Sequence, residues 1–135
     1  MEGQCLCGVI TITAPDKQEI DACHCGMCRR WGGGPALGLA VGPEVEIEGS
    51  DKLKTYRSSD WAERAFCGEC GTHVYYKLLP TGDFFLPAGL FQDEVGFEFK
   101  EQIFIDRKPG YYEFANQTLN LTEAEVFAKF AAAEG

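Results

Sequence analysis

Seven cysteines stand in three tight groups: Cys5-Leu6-Cys7, Cys23-His24-Cys25-Gly26-Met27-Cys28 and Cys67-Gly68-Glu69-Cys70-Gly71. Paired as disulfides, an odd number would leave one thiol over and force bridges between residues two or three apart. Metal binding explains the spacing better. Short hooks with one or two residues between cysteines aim two sulfurs into one tetrahedron and lose little extra backbone entropy, which is how zinc thiolate sites are assembled. The natural partition is four plus three: one closed four-cysteine site, and one three-thiolate site whose vacant position leaves room for chemistry.

Geometry assigns the groups. In an extended chain residues two apart share a face, so Cys5 and Cys7 at the head of a first strand can point their sulfurs the same way. Cys67 and Cys70, with Gly68 and Gly71 around them, have the form of a zinc knuckle, in which glycine permits the tight turn and backbone N–H groups point at the thiolates. Together these hooks would pin the first strand to the middle of the chain. Cys23, Cys25 and Cys28 are then three ligands from one loop. Water, a substrate thiol, His24 or His73 must complete their shell. Alternation sends the His24 ring away from the metal, toward a supporting or packed role, and His73 reads as a strand residue. Three thiolates on Zn2+ sum to −1, and Arg29 and Arg30 stand next in sequence to compensate an anionic ligand and stabilise thiolate; otherwise they are a solvated turn. Trp31 either walls the ligand site or packs beside a glycine turn, and Phe84–Leu90 is a second candidate wall.

The elements that must position these residues read as short strands. Gly8–Ala14, Ala36–Val41, Val45–Glu48, Leu53–Arg57, Ala62–Phe66, Thr72–Leu78, Phe84–Leu90 and Phe97–Asp106 carry alternation or β-branched and aromatic residues, with glycine and proline marking the turns. Helix is expected only at the C-terminus. There Thr122-x-x-Glu125 forms a capping box, and Leu121 is placed to staple onto Val126. The 135 residues, 45% hydrophobic, read as one domain over 1–135 with no linker and a sizeable core. Twenty-one acids against twelve Lys and Arg give a net charge of −9, a poor footprint for nucleic acid. MEGQCLCG has neither a charged n-region nor an apolar h-region, and no run of about eighteen apolar residues occurs, so no membrane partner is expected. A cytoplasmic location follows, where reducing conditions keep thiols available to metal.

The ordered motifs GQCLCG, CHCGMCRRWGG, FCGECGTHVYY, PAGLF and IFIDRKPGYYEF resemble the glutathione-dependent formaldehyde-activating enzyme family, also called the CENP-V/GFA domain, from about Gly3 to Phe114. The resemblance implies a mainly β, Mss4-like, zinc-stapled sheet fold with a short C-terminal helix. It implies two zincs per chain: a structural ion on Cys5, Cys7, Cys67 and Cys70, and a catalytic ion on Cys23, Cys25 and Cys28. It also implies carbon–sulfur lyase chemistry, the reversible formation of S-(hydroxymethyl)glutathione from glutathione and formaldehyde. Two positions depart from the pattern. Gln102 and Tyr111 stand where family members often carry His and Trp, and the chain is short for a glutathione-binding member. These departures leave the metal sites intact and bear on glutathione recognition.

The expected function is therefore thiol addition to formaldehyde or another aldehyde, with glutathione or a smaller thiol as the partner and with Arg29 or Arg30 neutralising a carboxylate or the developing oxyanion. The alternative is a non-catalytic zinc-dependent binding or scaffold module, which would hold a ligand without turnover. Both are compatible with a homo-oligomer.

Overall fold

The computed structural model describes residues 1–94 and 96–134, with 132–134 described by their backbone alone. In chain order the strands are β1 (Glu2–Gln4), β2 (Thr11–Thr13), β3 (Glu19–Cys23), β4 (Ala36–Gly42), β5 (Glu46–Glu48), β6 (Leu53–Arg57), β7 (Ala62–Cys67), β8 (His73–Leu78), β9 (Phe84–Pro87), β10 (Glu98–Ile103) and β11 (Leu119–Leu121). Helix α1 (Gly26–Gly32) follows β3, and α2 (Glu123–Glu134) follows β11. The fold is mainly β, as expected. Contacts group the chain into two compact units: Met1–Gln18 with Leu39–Phe97, and Glu19–Gly38 with Glu98–Gly135.

In the first unit β1, β2 and β5 form an antiparallel sheet, with Gly3 opposite Ile12 and Ile12 opposite Ile47. Gly3 is a packing requirement, since a Cβ there would stand 2.6 Å from the Leu90 carbonyl oxygen. Strands β6, β7, β8 and β9 form an antiparallel run with β4 beside β9. Along β7 Ala62 and Arg64 are buried in alternation and Ala65 breaks the period beside the register shift at Ala65/Phe66; Val74 on β8 and Leu86 on β9 are buried with them. Ile10, Ile12, Leu39 and Phe91 complete an apolar core of fully buried side chains. The buried Arg64 lies over the Tyr76 ring, 4.8 Å from its centroid, so its charge is not left facing hydrocarbon alone.

The second unit places β3 between β4, antiparallel, and β10, parallel; β11 runs parallel along the far side of β10. The capping box at Thr122 forms as the sequence indicates. The Glu125 N–H donates to Thr122 Oγ1 at 3.2 Å, and the Thr122 N–H donates to Glu125 Oε1 at 3.1 Å. Val126 is buried. Asp106 accepts from the Glu123 N–H at 2.9 Å, and Arg107 pairs with Glu123, tying the start of α2 to the turn after β10.

Several boundaries differ from the sequence reading. The first expected strand, Gly8–Ala14, contracts to Thr11–Thr13, because Cys5 to Gly8 is a turn closed by the Gly8 N–H on the Cys5 carbonyl at 3.1 Å. Phe84–Leu90 is strand only to Pro87, since the proline has no N–H to extend a ladder and a 3-10 turn, Ala88–Leu90, follows. Phe97–Asp106 is strand over Glu98–Ile103 and then turns at Phe104, which holds a left-handed φ of 56°. β1, β3, β11 and α1 lie outside the expected elements.

Candidate functional site

Each cysteine group is built within one unit. In the first unit the Cys5–Cys7 turn meets the Cys67–Cys70 knuckle. Cys5 and Cys7 converge through this turn rather than through strand alternation, and Gly8 closes it at a φ of 80° that a side chain would oppose. The knuckle follows a register shift in β7 at Ala65/Phe66, which frees the end of the strand to turn. Gly71, at φ 81°, donates to the Cys67 carbonyl at 2.8 Å, and Cys67 donates to the Thr72 carbonyl at 2.8 Å. Leu6 N–H donates to Thr72 Oγ1 at 3.1 Å and so latches one hook to the other.

The sulfurs then fit a tetrahedron. Zinc bonded to sulfur at about 2.3 Å sets sulfurs about 3.8 Å apart. Cys5 and Cys7 sulfurs are 3.6 Å apart, Cys7 and Cys67 3.8 Å, and all four lie within 4.8 Å of one another. Cys5 and Cys67 are buried. The Ile10 N–H points at Cys5 Sγ at 3.4 Å, and the Thr72 hydroxyl lies 3.2 Å from Cys70 Sγ. That hydroxyl, followed by the N–H groups of Thr72 and Cys7, draws the Cys70 thiol down to about 5. Against a backbone hydrogen bond from Val9, desolvation and the neighbouring sulfurs push Cys7 up to about 12, so the four sulfurs share protons unevenly until a cation replaces them, and the donor set fits a closed zinc site.

In the second unit the three remaining cysteines arrive differently. They are not carried by one loop: Cys23 ends β3, Cys25 is the N-cap of α1, and Cys28 lies in its first turn. Cys25 Sγ accepts the Cys28 N–H at 3.3 Å in the way a serine or aspartate cap would. The three sulfurs lie within 4.8 Å of one another and are half-buried. Hydrogen bonds from the Cys23 and Cys28 thiols, helped by the N–H groups of Cys28 and Met27, draw Cys25 down to about 2. Its hydrogen bonds with Cys25 and Cys28, together with burial, push Cys23 well up. The cluster thus concentrates anionic character on Cys25, at the centre of a ready-made three-sulfur donor set. Among the described residues no fourth His, Cys, Asp or Glu joins it within that distance.

His24 is turned away from the sulfurs. It is fully buried, its Nδ1 lies 2.8 Å from the Tyr112 hydroxyl and its Nε2 lies 2.8 Å from Gln102 Oε1. Burial, with the nearby Lys108 and Arg29 charges, holds the imidazole below its ordinary value despite Gln102. His73 is the first residue of β8 and also lies outside both donor sets. Arg29 donates from Nε to the His24 carbonyl at 3.0 Å, so it braces the site backbone. Arg30 is exposed near the end of α1. Gln102, Tyr112 and Thr118, which the sequence reading did not connect to the cysteines, reach the site through His24. Tyr111 is 74% exposed.

Comparisons with known proteins bear on the family and the fold. The sequence model of the family described as glutathione-dependent formaldehyde-activating enzyme matches residues 1–107. A curated protein of Schizosaccharomyces pombe, described as an uncharacterized lyase, is 35% identical over 127 residues, covering 93% of each chain. The crystal structure of a Rhodobacter sphaeroides protein shares the fold at a TM-score of 0.57 and 21% identity, over 67% of this chain and 86% of that one.

Proposed function

Because the chain belongs to the glutathione-dependent formaldehyde-activating enzyme family, we propose that it is a carbon–sulfur lyase-type enzyme. In this reading it binds two zinc ions and adds a thiol, glutathione or a smaller one, to formaldehyde or another aldehyde. The observation that carries the reading is the three-sulfur cluster of Cys23, Cys25 and Cys28, which brings a strong donor set together with no fourth His, Cys, Asp or Glu joining it among the described residues. Zinc held there would act as a Lewis acid that makes a thiol acidic at neutral pH.

The chain's own groups supply the rest. Cys25 is drawn toward the thiolate by the thiols of its neighbours and by the first N–H groups of α1, whereas Cys23 is pushed up, so metal binding would drive off the protons its neighbours still hold. Arg29 keeps its cation at the junction of β3 and α1, where its charge is felt at both His24 and Tyr112. In this reading it steadies an anionic substrate group. In the addition the thiol gives up its S–H proton, a sulfur–carbon bond forms, the carbonyl π pair moves onto oxygen, and that oxygen takes up the proton the thiol released. The reverse step returns free thiol and aldehyde. A reducing compartment such as the cytoplasm suits a chain that depends on seven thiols.

Exchange NMR at equilibrium tests the reading. The protein should speed interconversion of glutathione plus formaldehyde with the hydroxymethyl adduct above the spontaneous rate, and Cys25→Ser should abolish the gain. Smaller thiols and other aldehydes belong in the same assay. A fully metallated protein that accelerates none of these, yet retains a thiol on its open site, would be a binding module instead.

A further inference from the structure

His24 stands between two of the three sulfur ligands, and every polar group it has is engaged. Its backbone N–H donates to the Ile103 carbonyl at 3.1 Å, and its own carbonyl accepts from Arg29 Nε at 3.0 Å. The side-chain bonds have a direction. Gln102 Nε2 donates to Thr118 Oγ1 at 2.9 Å, and the Thr118 hydroxyl donates to Asn120 Oδ1 at 2.6 Å. Gln102 Oε1 is therefore the atom left to accept from His24 Nε2–H, which leaves Nδ1 as an acceptor for the Tyr112 hydroxyl. One chain runs from Tyr112 through His24, Gln102 and Thr118 to Asn120, and each step has one donor and one acceptor.

The chain is anchored in rigid parts. Gln102 is 5% exposed, next to the last residue of β10, opposite Ala22 of β3 and Asn120 of β11. The His24 ring stacks on Tyr112, with centroids 5.5 Å apart at 25°, and lies 6.0 Å from the Phe114 ring. Phe114 in turn meets Phe99 edge-on at 4.9 Å. Tyr112 is fixed from behind, as its carbonyl accepts from Lys108 Nζ at 2.7 Å. Rotation of the fully buried imidazole would break two hydrogen bonds. Because Cys23 and Cys25 are the residues on either side, a backbone shift that carried the ring out of this slot would also displace both sulfurs.

We propose that His24, held by Gln102 and Tyr112, is a positioning residue. It is a buried strut that sets the torsions on both sides of itself so that the Cys23, Cys25 and Cys28 sulfurs converge before metal arrives. This rests on the reading of that cluster as the open metal site. Groups that orient metal ligands from behind commonly change metal affinity by about 10–100-fold when removed. Here the effect is confined to the second unit's cluster, since His24 and its partners all belong to that unit. Position 102 needs a side chain that accepts at one atom and donates at another. Gln does this, an imidazole can also do it, and Leu cannot.

Zinc titration of the full chain against a competing chelator, with Co2+ absorption as a second readout, tests the strut. Gln102→Leu and Tyr112→Phe should each weaken the more labile metal by about 10–100-fold, leave the tighter metal unchanged, and shift the Co2+ ligand-field bands of the labile site. Gln102→His should recover most of the affinity. If Gln102→Leu fails to fold, Tyr112→Phe decides alone, because it deletes only one hydroxyl from a half-buried ring. Unchanged labile-metal affinity and spectrum would overturn the strut while leaving the open site standing. Parallel weakening of both metals would reduce the effect to general destabilisation and would also overturn it. A wild-type chain that binds one metal only would remove the open site itself.

Discussion

The two cysteine clusters use the same atom type and reach opposite arrangements. The first joins hooks from distant parts of the chain: Cys7 and Cys67 meet across 60 positions. Its sulfurs are capped by a turn, a knuckle and the Thr72 latch, and two of its four cysteines are buried. The second is local, spanning one strand end and the first turn of one helix, with all three cysteines half-buried. A long-range, saturated cluster acts as a cross-link, because closing a long loop removes freedom from the unfolded chain. A short-range, unsaturated one contributes little to holding the chain together and leaves a position for a ligand.

The largest expected difference is in folding. Structural zinc is worth about 10–16 kcal/mol, against a net domain stability of about 5–15 kcal/mol. Cys7→Ser or Cys70→Ser should therefore yield unfolded or insoluble protein, whereas Cys25→Ser should give a wild-type circular dichroism spectrum and lose the labile metal. A Cys70→Ser protein that melts like wild type would erase the distinction. Next in size is catalysis. Cys25→Ser should return thiol–aldehyde exchange to the spontaneous rate, and Arg29→Ala should lower it by on the order of tenfold, the value of one charge-assisted contact. An Arg29→Ala enzyme with full activity would leave that residue as a backbone brace only.

The smallest effect should leave both clusters untouched. Burial first, and then its hydrogen bond to Glu63, raise the Tyr75 phenol above its ordinary value. A raised folded-state value gives stability that is fully present below the unfolded value of about 10 and is lost as pH rises beyond it. Denaturant midpoints at neutral and strongly alkaline pH should fall less in Tyr75→Phe than in wild type, with metal content equal in both. If Tyr75→Phe changed the metal content, the first unit's cluster would depend on more than its own hooks.

Much of the site was legible because ligand chemistry is local. The identity and spacing of seven cysteines are enough to separate four from three, and Thr122-x-x-Glu125 marks the start of α2 by the same local logic. The sheet was legible where strands run six residues and are rich in aromatic or β-branched residues, as in β8. What the sequence hid depends on partners. β1 and β11 are three residues each and carry no pattern without the strands they pair with. β3, EIDAC, alternates too briefly to stand out and is defined by lying between β4 and β10. None of the residues of α1 is buried, so no apolar stripe announces it, and its N-cap is a cysteine rather than a serine or aspartate. The His24 chain was out of reach because its partners lie 78 and 88 positions away. The Cys5–Cys7 hook was expected as extended chain, but its sulfurs converge through a turn that Gly8 permits.

Graded chelation of gently purified protein, with metal counted by mass and the fold followed by circular dichroism, tests the difference between the clusters most directly. A closed site gives a chelator no vacancy from which to begin, and an open one does. The account predicts two zincs per chain, one of which leaves early with the fold and melting curve intact, is missing from Cys25→Ser, and takes the exchange activity with it. Two metals lost in one concerted step together with the fold, or a chain that never carries more than one, would contradict it.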